Sequence, residues 1–150
     1  MKVSIEHIKK LREELGVSIS DIRYALEESD GNEDKAREFL RKKGLERAEK
    51  KSERQIKAGR VFSYIHHTGT LGAMVVLGCE TDFVARTDEF QKLGQEIAMQ
   101  VASLGGENVE EVSKQDYIRD SGKTVEDLIK EVIGKLGENI QLLDLKRLAV

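Results

Sequence analysis

Two hydrophobic periods divide this chain. Up to residue 44, apolar residues recur at intervals of three and four, the spacing of helices with one buried face. Ser4 precedes a stripe of Ile5, Ile8, Leu11 and Leu15 that stops at Gly16. Ser18, with Asp21 three positions on, opens a second helix that turns Ile22, Ala25 and Leu26 inward. After the turn Asp30-Gly31-Asn32, Asn32 caps a third helix with Ala36, Phe39 and Leu40 inside and Gly44 just past its end. From Gly59 the period changes. Val61-Phe62-Ser63-Tyr64-Ile65-His66 and the run from Leu71 to Leu77 flank His67-Thr68-Gly69-Thr70, which predicts a β-hairpin. Helical spacing returns in Phe90, Leu93, Ile97 and Val101, a helix from about Thr87 to Leu104 ended by Gly105-Gly106. It returns again in Leu128, Ile129, Val132, Ile133 and Leu136, behind a capping-box start at Thr124 and Asp127. There Glu126 with Lys130, and Glu131 with Lys135, are i,i+4 pairs that mark an exposed outer face. Residues 107 to 123 are polar and poorly periodic. The run from Asn139 to Val150 reads as a third strand beside the hairpin, with a bulge or burial on both faces near Leu142 and Leu143. The expected fold is α+β: a three-helix bundle over residues 1–44, a basic linker over 45–58, and a domain over 59–150. That last domain is a small antiparallel sheet of about three strands with helices on one side.

Charge gives the linker its character. Between residues 41 and 60 there are nine basic and three acidic side chains, while only Leu45, Ala48 and Ile56 offer an apolar stripe. The segment reads as a solvated helix or a tether that few contacts cross, and a basic tether is also a candidate for RNA. It lacks aromatic residues for base stacking, and the whole chain carries a net charge of −3, which argues against a generic nucleic-acid binder.

At 150 residues with 35% charged side chains, the chain has enough length for one good core or two small ones. Lys2, Glu6, Lys9 and Lys10 interrupt any apolar run at the start, and no 18-residue apolar stretch exists. One cysteine forms no internal disulfide, so the expectation is a soluble protein of the cytoplasm or the matrix equivalent, with no membrane partner. Cys79 closes an apolar run and reads as a small buried residue. His66 and His67, adjacent on a strand, point to opposite faces and do not share a metal ion. No phosphate loop, nucleophile triad or metal-ligand spacing is present as a motif, so neither an enzyme nor a cofactor is expected.

What the chain does offer is apolar tips at turns. Residues 79 to 90, Cys-Glu-Thr-Asp-Phe-Val-Ala-Arg-Thr-Asp-Glu-Phe, join a strand to a helix. Thr81 and Thr87 can each cap a helical turn, which holds Asp82 and Phe83 in a fixed direction. Phe83 is then either part of the core or a rigid binding knob beside a carboxylate. Gly16-Val17-Ser18-Ile19-Ser20 is a second such place, where Val17 and Ile19 form a small exposed patch or Ile19 closes the bundle as a staple.

Thr81-Asp82-Phe83-Val84-Ala85 resembles the signature of the bacterial and organellar translation elongation factor Ts family. Leu11-Arg12-Glu13 with Gly16 and Asp21, Lys42-Lys43-Gly44, Cys79-Glu80 and the run from Ile133 to Ile140 stand in that family's order. The resemblance implies a ubiquitin-associated-type bundle at the N-terminus and a guanine-nucleotide exchange factor for elongation factor Tu. It implies that Thr81, Asp82, Phe83 and Val84 bind that partner, with Asp82 and Phe83 wedged near its magnesium and phosphate site. Arg12 and Ile19 would touch the same domain from the bundle, and Ser20 stands where many members carry a second large apolar residue. Long members carry two sheet subdomains and short ones carry one; this chain has room for one, with a shortened 107–123 segment. A homodimer through the sheet domain is also expected, since Ile140, Leu142, Leu143, Leu145 and Leu148 are more apolar positions than a three-stranded sheet needs. Two alternatives from other classes are a ubiquitin-associated-type adaptor and an RNA-binding protein, each with a dimerising C-terminal domain.

Overall fold

In a computed structural model, which describes residues 3–150, the local signals for helix starts act where the sequence puts them. Ser4, Ser18 and Asn32 cap helices α1 (Ile5–Leu15), α2 (Ile19–Glu28) and α3 (Glu33–Lys51), each side chain accepting from a backbone N–H in the first turn. Gly16 ends α1 in the left-handed conformation, φ 64°. Ile8, Leu11, Ile22, Ala25, Leu26, Ala36 and Leu40 form the bundle core.

Helix α3 does not stop at Gly44. It continues two turns further, to Lys51, because the second half has a tertiary partner that a helix-propensity argument cannot see. Ala48 is 2% exposed and belongs to the core of the sheet domain, not to the bundle. Gly44 lies at the close crossing of α3 with the last helix, α7 (Val125–Leu136), where a methyl group on Gly134 would come 4.0 Å from its Cα. The first half of the basic stretch is therefore a packed helix, and contacts do cross it. Its cations are largely paired: the Arg47 guanidinium grips both carboxylate oxygens of Asp21 at 2.9 and 3.1 Å, and Lys43 reaches the same group at 3.2 Å. These bonds, Arg47 first, hold the Asp21 carboxyl well below its ordinary range.

The hairpin forms as β1 (Ala58–Ile65) and β2 (Leu71–Cys79), and β5 (Ile140–Ala149) pairs antiparallel on the other edge of β2. The β2–β5 register shifts at Val76 and Leu77, so that Leu142 faces Leu77 while Leu143 is extra, the bulge expected there. One sheet face is covered by helices. Its side chains Phe62, Ala73, Val75, Leu77, Ile140 and Leu142 pack against α5 (Asp88–Leu104) and α7 in a single core. The Phe62 ring occupies the place a side chain at Gly94 would take, so α5 sits close on β1 only because residue 94 has none. The other face carries Val61, Ile65, Met74, Leu143 and Leu148, all exposed.

Residues 107 to 123 are more ordered than their polarity implies. They form α6 (Val109–Lys114), then β3 (Asp116–Tyr117) and β4 (Asp120–Thr124), a two-stranded hairpin. Two side chains of α5 hold the hairpin: the fully buried Gln100 donates to Gln115 and to the Asp116 carbonyl and accepts from the Ile118 N–H at 2.9 Å, and Glu96 accepts from the Tyr117 hydroxyl and from Arg119, each at 2.6 Å. Thr124 and Asp127 complete the capping box of α7. Two expected details change. Glu131 turns away from Lys135 to Lys123 (2.9 Å) and Arg41 (3.8 Å), because that side of α7 faces α3 and β4 and not solvent. His66 and His67 lie beyond the end of β1, so strand alternation does not apply and their ring centroids are 4.1 Å apart.

Candidate functional site

Helix α4 (Asp82–Ala85) is a single turn placed between the end of β2 and the start of α5. Its sequence splits into two halves with opposite tasks. Val84 and Ala85 point into the core, at 8% and 1% exposure, and anchor the turn. Asp82 and Phe83 point out, and Phe83 is 87% exposed, far more than a large aromatic side chain keeps unless something else is to cover it. Val84, grouped with them by the signature, is thus a support of the tip and not part of its exposed surface.

Hydrogen bonds hold the tip at every side. Thr81 caps it, its hydroxyl accepting from the Val84 N–H, and Thr87 caps the following helix while donating its own hydroxyl to the Val84 carbonyl at 2.8 Å. From β1, Arg60 donates Nε–H to the Ala85 carbonyl at 2.9 Å. From the turn between α7 and β5, Glu138 accepts from both the N–H (2.9 Å) and the hydroxyl (2.7 Å) of Thr81. The Cys79 thiol donates to the Thr81 carbonyl, and burial first, then the nearby Glu138 charge, pushes its pKa up. It is a neutral, structural thiol with no nucleophile's environment. Glu138 and Arg60 were not singled out by side-chain chemistry in the sequence. Glu138 does stand in the run from Ile133 to Ile140 that carries the family resemblance, and that run is the signal that could have found it.

Arg12 and Ile19 lie on the bundle, apart from the tip in sequence and in fold: Arg12 in the last turn of α1, Ile19 as the first residue of α2. Both are exposed, Ile19 at 44%, whereas Val17 is half-buried against the bundle core. The loop between them is braced, since Ser18 caps α2 and donates to Asp21, which in turn is clamped by Arg47. The exposed apolar group in this loop is therefore Ile19, on a rigid support. Among the described residues no three His, Cys, Asp or Glu side chains converge as a metal site, and no helix is long and apolar enough to cross a membrane.

Residues 80–150 match the family described as Elongation factor TS. The chain is similar to "Elongation factor Ts" of Aquifex aeolicus, 47% identical over 148 residues, covering 95% of this chain and 51% of that protein. It is similar to "Elongation factor Ts" of Fervidobacterium nodosum, 36% identical over 195 residues, covering 100% of this chain and 99% of that protein. It is similar to "Elongation factor Ts" of Thermotoga maritima, 38% identical over 185 residues, covering 95% and 93%. The chain thus spans about half the length of the Aquifex relative and nearly all of the Fervidobacterium one. With that coverage and identity, the chain belongs to the elongation factor Ts family, a family of translation elongation factors.

Proposed function

We propose that this protein is a guanine-nucleotide exchange factor for elongation factor Tu. Asp82 and Phe83 insert beside the magnesium and phosphate site of that partner's nucleotide domain and loosen GDP, while Arg12 and Ile19 hold the same domain from the bundle. Residues 1–44 act as the gripping unit, 45–58 as its connection, and 59–150 as the unit that carries the tip. The reading is carried by one observation: Phe83 is 87% exposed on a turn whose other residues are locked by the core, by Glu138 and by Arg60. An aromatic residue whose backbone is fixed in direction before contact has less freedom to lose on insertion, which is what an anchor residue needs.

The action is binding and not covalent chemistry. By linkage, a factor that weakens GDP binding is itself bound more weakly when GDP is present. Lowering the barrier to release by ~4 kcal/mol speeds GDP loss about a thousandfold. A second copy of the chain covers the outer sheet face, where Val61, Ile65, Met74 and Leu148 form an exposed apolar surface. Lys43 and Arg47, paired to Asp21, are engaged within the fold, which favours protein binding over the RNA alternative. The working compartment is the cytoplasm or its matrix equivalent.

The test is the release of labelled GDP from elongation factor Tu with and without this protein. Catalysed release at substoichiometric protein is the expected result. No acceleration, with no complex formed, leaves the adaptor reading in its place.

A further inference from the structure

We infer that Glu138 is the positioning residue that sets the direction of the Asp82–Phe83 tip, an inference that rests on the exchange role proposed above. Thr81 has one hydroxyl proton, and the 2.7 Å bond gives it to Glu138 Oε2. The lone pairs of the same oxygen are then turned toward the Val84 N–H, 3.4 Å away. Glu138 thus orients the cap as well as the backbone of residue 81, whose N–H donates to its other oxygen. One residue back, the exchange is returned: Glu80 accepts from the Asn139 N–H at 3.2 Å. Two neighbouring residues on each segment trade carboxylate–amide bonds just beyond Cys79↔Ile140, the last pair of the β2–β5 ladder. Side chains prolong the register past the point where the strands separate.

The knot reaches a third element. Asn139, 1% exposed, donates its side-chain amide to the carbonyls of Ser52 (3.3 Å) and Arg54 (2.7 Å), just past the end of α3. The turn that carries Glu138 is therefore fixed on three sides: by the left-handed Gly137 that ends α7, by Asn139, and by Ile140 in the ladder. The strands and the anchors Val84 and Ala85 hold their places by burial in the core. What depends on Glu138 is the N-terminal end of α4, the part that aims Asp82 and Phe83, and bonds to a carboxylate are about twice as strong as neutral ones.

Glu138→Ala and Glu138→Gln in the full chain, with Phe83→Ala beside them, test this by two readouts. The first is amide hydrogen exchange of residues 81, 84 and 85 in the free protein. The second is the rate of labelled GDP release from elongation factor Tu at varied protein concentration. In Glu138→Ala these amides exchange about tenfold faster while those of β2 keep their pace. The maximal release rate falls at least tenfold, since two charge-assisted hydrogen bonds are lost, and the half-saturating concentration moves less than about threefold because the bundle contact is intact. Glu138→Gln recovers part of both, since its one amide oxygen still accepts from the Thr81 N–H while its NH2 cannot take the hydroxyl proton. Unchanged tip amides or an unchanged maximal rate in Glu138→Ala overturns the inference, and so does a Gln variant no better than Ala. If Phe83→Ala leaves release unaffected, the exchange role itself falls, and the amide readout alone decides whether Glu138 holds the tip.

Discussion

Replacing Phe83 by alanine separates a binding knob from a core residue by where the loss appears. In the free protein the side chain is 87% exposed, so only about an eighth of it contributes to folding. A fully buried Phe→Ala change costs roughly 3 to 5 kcal/mol, and the small buried fraction scales that to about 0.5 kcal/mol, or a shift of about 1 to 2 °C in thermal midpoint for a chain of this size. On the partner the arithmetic reverses. Covering the exposed ring contributes roughly 1.5 to 3 kcal/mol, and the loss of about 2 kcal/mol slows catalysed GDP release, or weakens the complex, about thirtyfold. The assay is thermal unfolding of the free variant beside labelled GDP release from elongation factor Tu, with Asp82→Ala in parallel. A midpoint lowered by more than about 5 °C, or release at the wild-type rate, refutes the reasoning.

Three further outcomes follow from the geometry. The folded-state pKa of Asp21 lies below its unfolded value near 3.8, so its ion pairs stabilise the bundle fully above about pH 4 and are lost as pH falls below that. Asp21→Asn should cost about 2 kcal/mol at pH 7 in urea unfolding, and that gap should shrink between about pH 4 and pH 2; a constant gap contradicts the assignment. Gly44→Ala should stabilise the protein by roughly 0.5 to 1 kcal/mol, since residue 44 is helical and a Cβ there meets nothing within 4 Å; a lower thermal midpoint contradicts it. Sedimentation at roughly 50 μM should give about twice the 16.9 kDa chain mass, and Met74→Glu on the outer sheet face should return it to one chain; a wild-type monomer refutes the dimer.

Much of the fold is legible in the sequence where the cause is local. Ser4, Ser18, Asn32, Thr81, Thr87 and Thr124 each cap a helix because a short polar side chain next to an apolar stripe needs only its own first turn to do so. The doubled leucine at 142 and 143 announces the bulge by breaking a period of two. What stays hidden depends on partners far along the chain. Gly44 reads as a helix stop until α7, some 90 residues on, packs across it. The hairpin of β3 and β4 has no alternation to betray it, because its support comes from Gln100 and Glu96 reaching from another helix. The tip shows the same split. Thr81 and the apolar pair Phe83 and Val84 suggest a capped turn, but which of the two faces out follows only from the helix phase and the core beneath. Glu138, 57 residues from Thr81, has no side-chain signal of its own.

Helix α3 contributes Ala36 and Leu40 to one core and Ala48 to the other. A three-helix bundle of this size is marginal alone, and starting a helix is the costly step, with each added residue cheaper than the first turn. Because the two cores share one helix, that step is taken once for both, and the bundle can fold as an outgrowth of the larger unit. Melting should then be a single cooperative event, and the bundle borrows its stability through the shared helix instead of through docking. Cutting the chain after residue 44 would remove about three turns of α3, leaving a stump too short to hold itself helical. It would also take away Arg41, which pairs with Glu131 on α7, and so loosen the helix that ends two residues before Glu138.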